Sequence, residues 1–274
     1  MCSSKTGHPT ILIGGTEARA RNTISGNDDV GVRITSTAGT GNTVQGNYIG
    51  TNAAVDTKLA NGDDGVSIQD GAVNNTVGVV TDKSNPRNVI SGNGGDGVEI
   101  LSSSSGTTGN RILSNSIYEN DALGINLVHF NNLTEGPTPN DGAPLDPDVG
   151  PNNLQNFPVI ESARLTTRRI GGHRRKVTII KGALNSNANT TFTLQFFGSP
   201  EADPSGFGEG NTYLGQKSGV TTNDSCDATF TFKTKKRVPK GQFVTATATV
   251  TATDPAIDQS NGDTSEFSDA LQVS

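Results

Sequence analysis

The chain reads as an all-β protein in two parts: a short parallel β-helix of about four rungs, then an antiparallel Ig-like β-sandwich. Three observations predict this. First, an aliphatic residue bracketed by asparagines recurs four times in one frame, as Asn22-Thr-Ile24-Ser-Gly-Asn27, Asn47-Tyr-Ile49-Gly-Thr-Asn52, Asn88-Val-Ile90-Ser-Gly-Asn93 and Asn115-Ser-Ile117-Tyr-Glu-Asn120. Second, each block precedes a glycine and an apolar pair: Gly31-Val32-Arg33-Ile34, Gly65-Val66-Ser67-Ile68, Gly97-Val98-Glu99-Ile100 and Gly124-Ile125-Asn126-Leu127. A supersecondary unit repeated in register is the signature of a solenoid. Third, thirty-four glycines, no tryptophan and only three tyrosines disfavour a helical globule and suit short strands joined by tight turns.

The apolar centres give three strands per turn. These are Ile11/Ile13, Ile24 and Val32/Ile34, then Val44, Ile49 and Val66/Ile68, then Val77, Ile90 and Val98/Ile100, then Ile112, Ile117 and Ile125/Leu127. Equivalent residues of a parallel coil stack roughly 4.8 Å apart, so the inward Ile and Val form columns that fill the bore. The asparagines then form ladders, Asn22/Asn47/Asn88/Asn115 and Asn27/Asn52/Asn93/Asn120, with a third through Asn42, Asn75 and Asn110. An amide has donors and an acceptor to satisfy turn backbone and the next amide along the axis. Glycines 31, 65, 97 and 124 mark a corner that needs positive φ or close backbone approach. Residues 53–61 and the stretch from Val79 to Arg87 exceed the repeat and leave as loops. The first rung leaves an open strand edge, which invites self-association or another cover.

The coil occupies residues 1–128. Residues 129–157, rich in Asn, Pro, Asp and Gly without periodicity, form a connector and coil cap. From 158 to 274 seven runs alternate as half-buried strands: Val159–Leu165, Lys176–Leu184, Thr190–Phe197, Thr212–Gln216, Ala228–Phe232, Phe243–Thr251 and Ser265–Val273. Almost no helix is expected.

Charge divides the parts. Before Phe157 there are 8 basic and 16 acidic residues, after it 13 and 11. An acidic coil repels phosphate backbones, which argues against nucleic acid as partner, whereas the mildly basic sandwich suits an anionic surface or polymer. Cys2 and Cys226 read as two separate thiols, since a bridge would require distant ends of the chain to meet. No segment has the apolar length of a membrane span, and the first residues lack the apolar core of a secretion signal.

The stretch Arg87-Asn-Val-Ile-Ser-Gly-Asn-Gly-Gly-Asp-Gly-Val-Glu-Ile100 resembles bacterial secreted parallel β-helix repeat proteins of the pectin-lyase-like superfamily. Gly150-Pro-Asn-Asn-Leu-Gln-Asn-Phe-Pro-Val159, Asp203-Pro-Ser-Gly-Phe-Gly-Glu-Gly210 and Thr264-Ser-Glu-Phe-Ser268 resemble the connector and sandwich that follow such coils in large surface proteins. The resemblance implies a right-handed coil and a secreted or cell-surface setting; separately, Ile11-Leu-Ile13-Gly-Gly already reads as a coil strand, so the expectation is that the chain begins inside a repeat of something longer. Related sequences carry a cysteine before Asp-Pro-Ser-Gly where this one has Glu201-Ala-Asp203.

The chemistry-bearing residues are few. Asp28-Asp29 and Asp63-Asp64 fall at what the spacing makes equivalent corners, with Asp96 and Asp121 nearby. Such a carboxylate row suits glycoside hydrolysis or calcium, but Asp before Gly is also an ordinary turn residue, and that reading is the stronger. Coil-fold polygalacturonases pair such aspartates with Gly-His-Gly and Arg-x-Lys, and His8, His129 and His173 stand in no such setting. A lyase needs an Arg or Lys base with a cation. Arg33 is the candidate, beside Glu99, Ser67 and Asn126 at the same outward position. The catalytic candidates are therefore Asp63, Asp64 and Arg33, outweighed by a solvated outer face.

In the connector, Asn140, Asp141, Asp146 and Asp148 offer closely spaced oxygens with glycine, a candidate calcium site competing with Asx turns. Asp254, Asp258, Asn261 and Asp263 form a weaker cluster. Arg168-Arg169, Arg174-Arg175-Lys176 and Lys233 to Arg237 are basic clusters on hairpins. Phe196, Phe197, Phe207 and Tyr213 read as packing before they read as a sugar platform. The expectation is a non-catalytic extracellular or cell-surface structural and adhesive module that contacts polysaccharide along the coil. A lyase or hydrolase acting on acidic polysaccharide is the alternative, and an assembly module pairing through the open first rung is a third.

Overall fold

The structure, a computed structural model, describes residues 10–35, 39–79, 86–102, 106–129, 136–142, 149–252 and 262–274. Among these, twelve short strands build three parallel four-stranded sheets. The first holds β1 (Leu12–Gly14), β4 (Thr43–Gln45), β7 (Thr76–Gly78) and β10 (Arg111–Leu113). The second holds β2 (Thr23–Ile24), β5 (Tyr48–Ile49), β8 (Val89–Ser91) and β11 (Ser116–Tyr118). The third holds β3 (Val32–Thr35), β6 (Val66–Gln69), β9 (Val98–Ser102) and β12 (Ile125–His129).

Their registers put Ile24, Ile49, Ile90 and Ile117 one above another. The same holds for Ile13, Val44, Val77 and Ile112, and for Ile34, Ile68, Ile100 and Leu127. From the second coil on, these side chains are nearly or wholly inaccessible and form one cluster. Alternation along each strand turns every second residue inward, and the parallel register repeats that choice coil after coil. The chain is thus a parallel β-helix over this region. Ile11, assigned to the bore by its spacing, is instead 59% exposed: it precedes β1, so the strand's alternation does not reach it, and Ile13 alone packs on the cluster.

The corner glycines act by close approach. Glycines 31, 65, 97 and 124 have no positive φ. A Cβ on Gly65 would lie 2.6 Å from the Ile90 side chain and 2.7 Å from the Gly97 carbonyl, so the coils meet there through bare backbone.

After a 3-10 turn at Pro151–Leu154, seven strands form an antiparallel sandwich. β13 (Val159–Ile170), β14 (His173–Asn185) and β17 (Asp227–Thr234) make one sheet. β15 (Thr191–Ser199), β16 (Thr212–Thr221), β18 (Phe243–Ala252) and β19 (Leu271–Gln272) make the other. The chain changes sheets after β14, β16 and β17, the Ig-like order. Inward residues of both sheets fill the space between them, centred on Phe196, whose ring stacks on Phe232 at 4.3 Å.

The final strand is much shorter than the alternation from Ser265 to Val273 predicts. Residues 263–268 are almost wholly buried and serve both parts: the Thr264 hydroxyl accepts from the Ile112 amide and Glu266 from the Leu127 amide, while the Ser265 and Ser268 hydroxyls accept from the Ala248 and Ala246 amides of β18. The segment stays beside β18 through backbone bonds such as Ser265 N–H to Ala248 and Ser268 N–H to Ala246, but hydroxyls take part of the ladder, so the regular strand is confined to Leu271–Gln272. Phe197, Tyr213 and Phe267, from the sandwich, complete the bore of the coil itself. Cys226 is a buried thiol, and Cys2 and His8 lie outside the described residues.

Candidate functional site

The polar columns organise the corners. Asn22 donates through Nδ2 to Asn47 Oδ1 at 2.9 Å, Asn47 to Asn88 at 3.2 Å and Asn88 to Asn115 at 2.9 Å. Two of the oxygens also meet backbone: Asn47 Oδ1 accepts the Asn22 amide and Asn88 Oδ1 accepts the Asn47 amide. A third column runs Asn42, Asn75, Asn110, and Asn152 of the connector extends it by accepting the Asn110 amide at 3.0 Å.

The second column corrects the sequence expectation. It runs Asn27, Asn61, Asn93, Asn120, with Nδ2 to Oδ1 distances of 2.7, 2.8 and 2.8 Å, and Asn52 is absent from it. Asn52 instead closes the inserted loop, its Nδ2 2.6 Å from Asp56 Oδ1. The insertion starts before the ladder position rather than after it, so the returning chain supplies the amide. The signal was present: Asn lies four residues before Gly at 27/31, 61/65, 93/97 and 120/124 alike. The loop folds back on the coil, with Leu59 and Ala60 carbonyls accepting from Gly26 and Lys58 reaching Asp121 at 2.6 Å.

That shift also moves the acidic corner. Asp63 is equivalent to Asp29 and Gly95, while Asp64 is equivalent to Val30, Asp96 and Leu123, since Gly31, Gly65 and Gly97 donate to the carbonyls of Asp64, Asp96 and Leu123 in turn. The two aspartate pairs are therefore offset by one residue. Asp64 Oδ1 accepts the Asp96 amide at 2.8 Å, and Asp96 Oδ1 accepts the Leu123 amide at 2.7 Å. Asp96 Oδ2 accepts from Asn126 Nδ2 at 2.8 Å, and Glu99 accepts from the Ser67 hydroxyl at 2.9 Å. These carboxylates form a fourth column, performing with acids what the asparagines perform with amides.

Burial lifts Asp64 to about 8, with the Glu99 carboxylate adding to it. Asp96 rises to about 6 and Glu99 also rises, both chiefly by burial, because removing water disfavours the charged form. Asp63 is exposed, and Arg33 is drawn into an exposed pair with Asp29 at 3.0 Å. Of the three catalytic candidates, only Asp64 enters the buried cluster, beside Glu99.

A second acidic site lies at the junction. Glu209 Oε1 accepts from Asn120 Nδ2 at 2.8 Å and from its amide, ending the second column, and Glu209 is pushed up to about 7 by burial. Glu266 receives the Leu127 and Thr138 amides on its two oxygens and is pushed up to about 8 by burial. Gly210 pairs its backbone with Ile117, and Gln195 Oε1 accepts the Ser114 amide. An open groove of about 490 Å³ runs beside Asp121, Asp203 and Glu209. Sequence reasoning did not single out Glu209 or Glu266 for a role, although both lie in the segments that carried the resemblance, which are the segments that seal the last coil.

In the connector, Asn140 exchanges hydrogen bonds with Phe157 backbone, and the Asp141 carboxylate accepts from Asn156 Nδ2 at 3.0 Å. Asp146 and Asp148 lie outside the described residues, as do Asp254, Asp258 and Asn261. Among the described residues no group of three His, Cys, Asp or Glu is placed to hold a metal ion, and no helix is long and apolar enough to cross a membrane. Phe196, Phe197 and Tyr213 are buried. A scan against protein-family models and a search of curated proteins each find no match for the chain.

Proposed function

We propose that the chain is a non-catalytic structural and adhesive module of an extracellular or cell-surface protein, related to the pectin-lyase-like β-helix repeat proteins, whose coil contacts a repeating polymer such as polysaccharide. One observation carries this reading: the buried carboxylates Asp64 and Asp96 and the laddered amides of the coil are engaged in columns along its axis. Asp64 and Asp96 bind backbone of the next coil, so they hold the rungs together rather than converge on a reacting atom. A regular stack sealed at one end by a sandwich suits display and cohesion, and regular polar rows suit low-affinity contact with a repeating ligand. Arrays and affinity gels carrying neutral and acidic glycans test it. Retention expected on at least one polymer class, and silence across all of them, separate the outcomes.

The enzymatic reading keeps one observation in its favour: Asp64 and Glu99 lie side by side in the buried cluster, and burial raises both carboxyls, the kind of perturbed pair found at catalytic sites. Incubation with uronate polymers, followed by unsaturated-product absorbance and reducing-end assays, addresses it. Turnover lost in Asp64→Asn would replace the adhesive reading with this one.

A further inference from the structure

We propose that the β13–β14 hairpin and the 235–240 loop of the sandwich form a binding site for a linear acidic polysaccharide, one carrying carboxylate or sulfate groups, distinct from the coil. Eleven of the thirteen basic residues after Phe157 lie in residues 164–176 and 233–240, and no Asp or Glu occurs in 162–200 or 228–253. The fold concentrates them further. β14 pairs with β17 only from Thr178 onward, so the hairpin tip projects as a two-stranded ribbon. On it Arg168 lies opposite Arg175, and Arg169 opposite Arg174.

Like charges directly opposed across an antiparallel pair destabilise it. The four arginines are exposed, and among the described residues the ion pairs are Arg33–Asp29 and Lys58–Asp121, both in the coil. The ribbon therefore holds a repulsion that an external anion would relieve. Guanidinium forks match carboxylate and sulfate in bidentate geometry, which a solvated lysine face does not.

The shape selects among anions. Arg174, Arg175, Lys176, Lys235 and Arg237 line an open groove of about 630 Å³. A second of about 490 Å³, beside Thr166, Thr167, Pro239 and Lys240, shares Lys176 and Arg237 with it, so the two adjoin. Two adjoining hollows in a row receive a chain rather than a bilayer plane. The acidic coil on the same molecule repels a long phosphate polymer, which favours a glycan over nucleic acid.

The test uses the full chain with heparin and polygalacturonate as probes, measured by calorimetry at low and moderate salt. Anionic vesicles and duplex DNA serve as competing ligands. Binding to at least one of the two polysaccharides is expected, weakening as salt rises. The Arg174→Gln/Arg175→Gln variant should lose at least about tenfold in affinity, while Arg19→Gln/Lys217→Gln, removing equal charge elsewhere, loses less than about twofold. The hairpin variant should melt no lower than the parent, since it removes repulsion. No binding to either polysaccharide, equal loss in both variants, or preference for vesicles or DNA overturns the proposal. The adhesive reading of the coil stands or falls separately, on neutral glycans and on coil variants.

Discussion

The two ends of the coil differ in how they finish the same columns. At the first coil, β1, β2 and β3 each pair on one side only among the described residues, and Asn22 and Asn27 face solvent. At the last coil, Asn110 meets Asn152, Asn120 meets Glu209, Leu127 meets Glu266, Ile112 meets Thr264 and Ser114 meets Gln195. A parallel stack cannot satisfy its own terminal backbone, so something non-repeating must supply the partners. Here the connector and the sandwich do so with side chains, and the sandwich adds Phe197, Tyr213 and Phe267 to the bore. Coil and sandwich are thereby continuous at one end, whereas the other presents unpaired strand and the exposed Ile11 and Leu12.

The largest expected effect is in the bore. Ile90→Ala, at a fully buried site, should cost about 4 kcal/mol, against no more than about 2 for Ile24→Ala in the half-covered first coil, by urea denaturation. Equal costs would mean that the first coil is as well covered as the third, breaking the comparison.

Next come the columns. Asn88 makes four hydrogen bonds within the stack, and Asn88→Ala should cost about 2–3 kcal/mol, whereas Asn22→Ala at the solvent end should cost under about 1.

At the sealed end, Glu209→Ala strands the Asn120 amide groups and should cost about 1–3 kcal/mol, while Glu209→Gln keeps an acceptor and stays near the parent. The same residue gives the pH dependence. Its carboxyl rises from 4.5 to about 7 on folding, and that of Glu266 rises from 4.5 to about 8. The folded state thus holds protons that the unfolded state releases, so this stabilisation is complete below the unfolded value and is lost as pH climbs through the folded ones. Thermal midpoints should fall between pH 5 and pH 9, less steeply in Glu209→Gln. A profile identical in parent and variant would remove Glu209 from the junction's energetics.

The smallest effect on stability is expected at the open end. Leu12→Lys should change unfolding by less than about 0.5 kcal/mol, yet weaken any concentration-dependent association seen by light scattering. Association unaltered by it would exclude this edge as the assembly surface.

The coil was legible because its period is written in residues of opposite kinds: Ile24, Ile49, Ile90 and Ile117 inside, asparagines at the corners. The ladder error, Asn52 for Asn61, and the misaligned aspartate pairs share one cause: the block's internal spacing competes with its distance to the next glycine. An insertion preserves spacing on one side of itself only. Glu209 and Glu266 were illegible in role because neither lies in a repeat and their partners are 89 and 139 residues away.

Composition and periodicity alone determined the three-strand coil, its aliphatic columns and the alternating sandwich, because strand period and parallel stacking act on neighbours in sequence or on exact repeats. Which oxygen ends each column, how residues 263–268 come to serve both parts, and which arginines oppose one another were decided only by the tertiary structure. Those contacts join unlike segments with no shared period, and only three-dimensional packing pairs them.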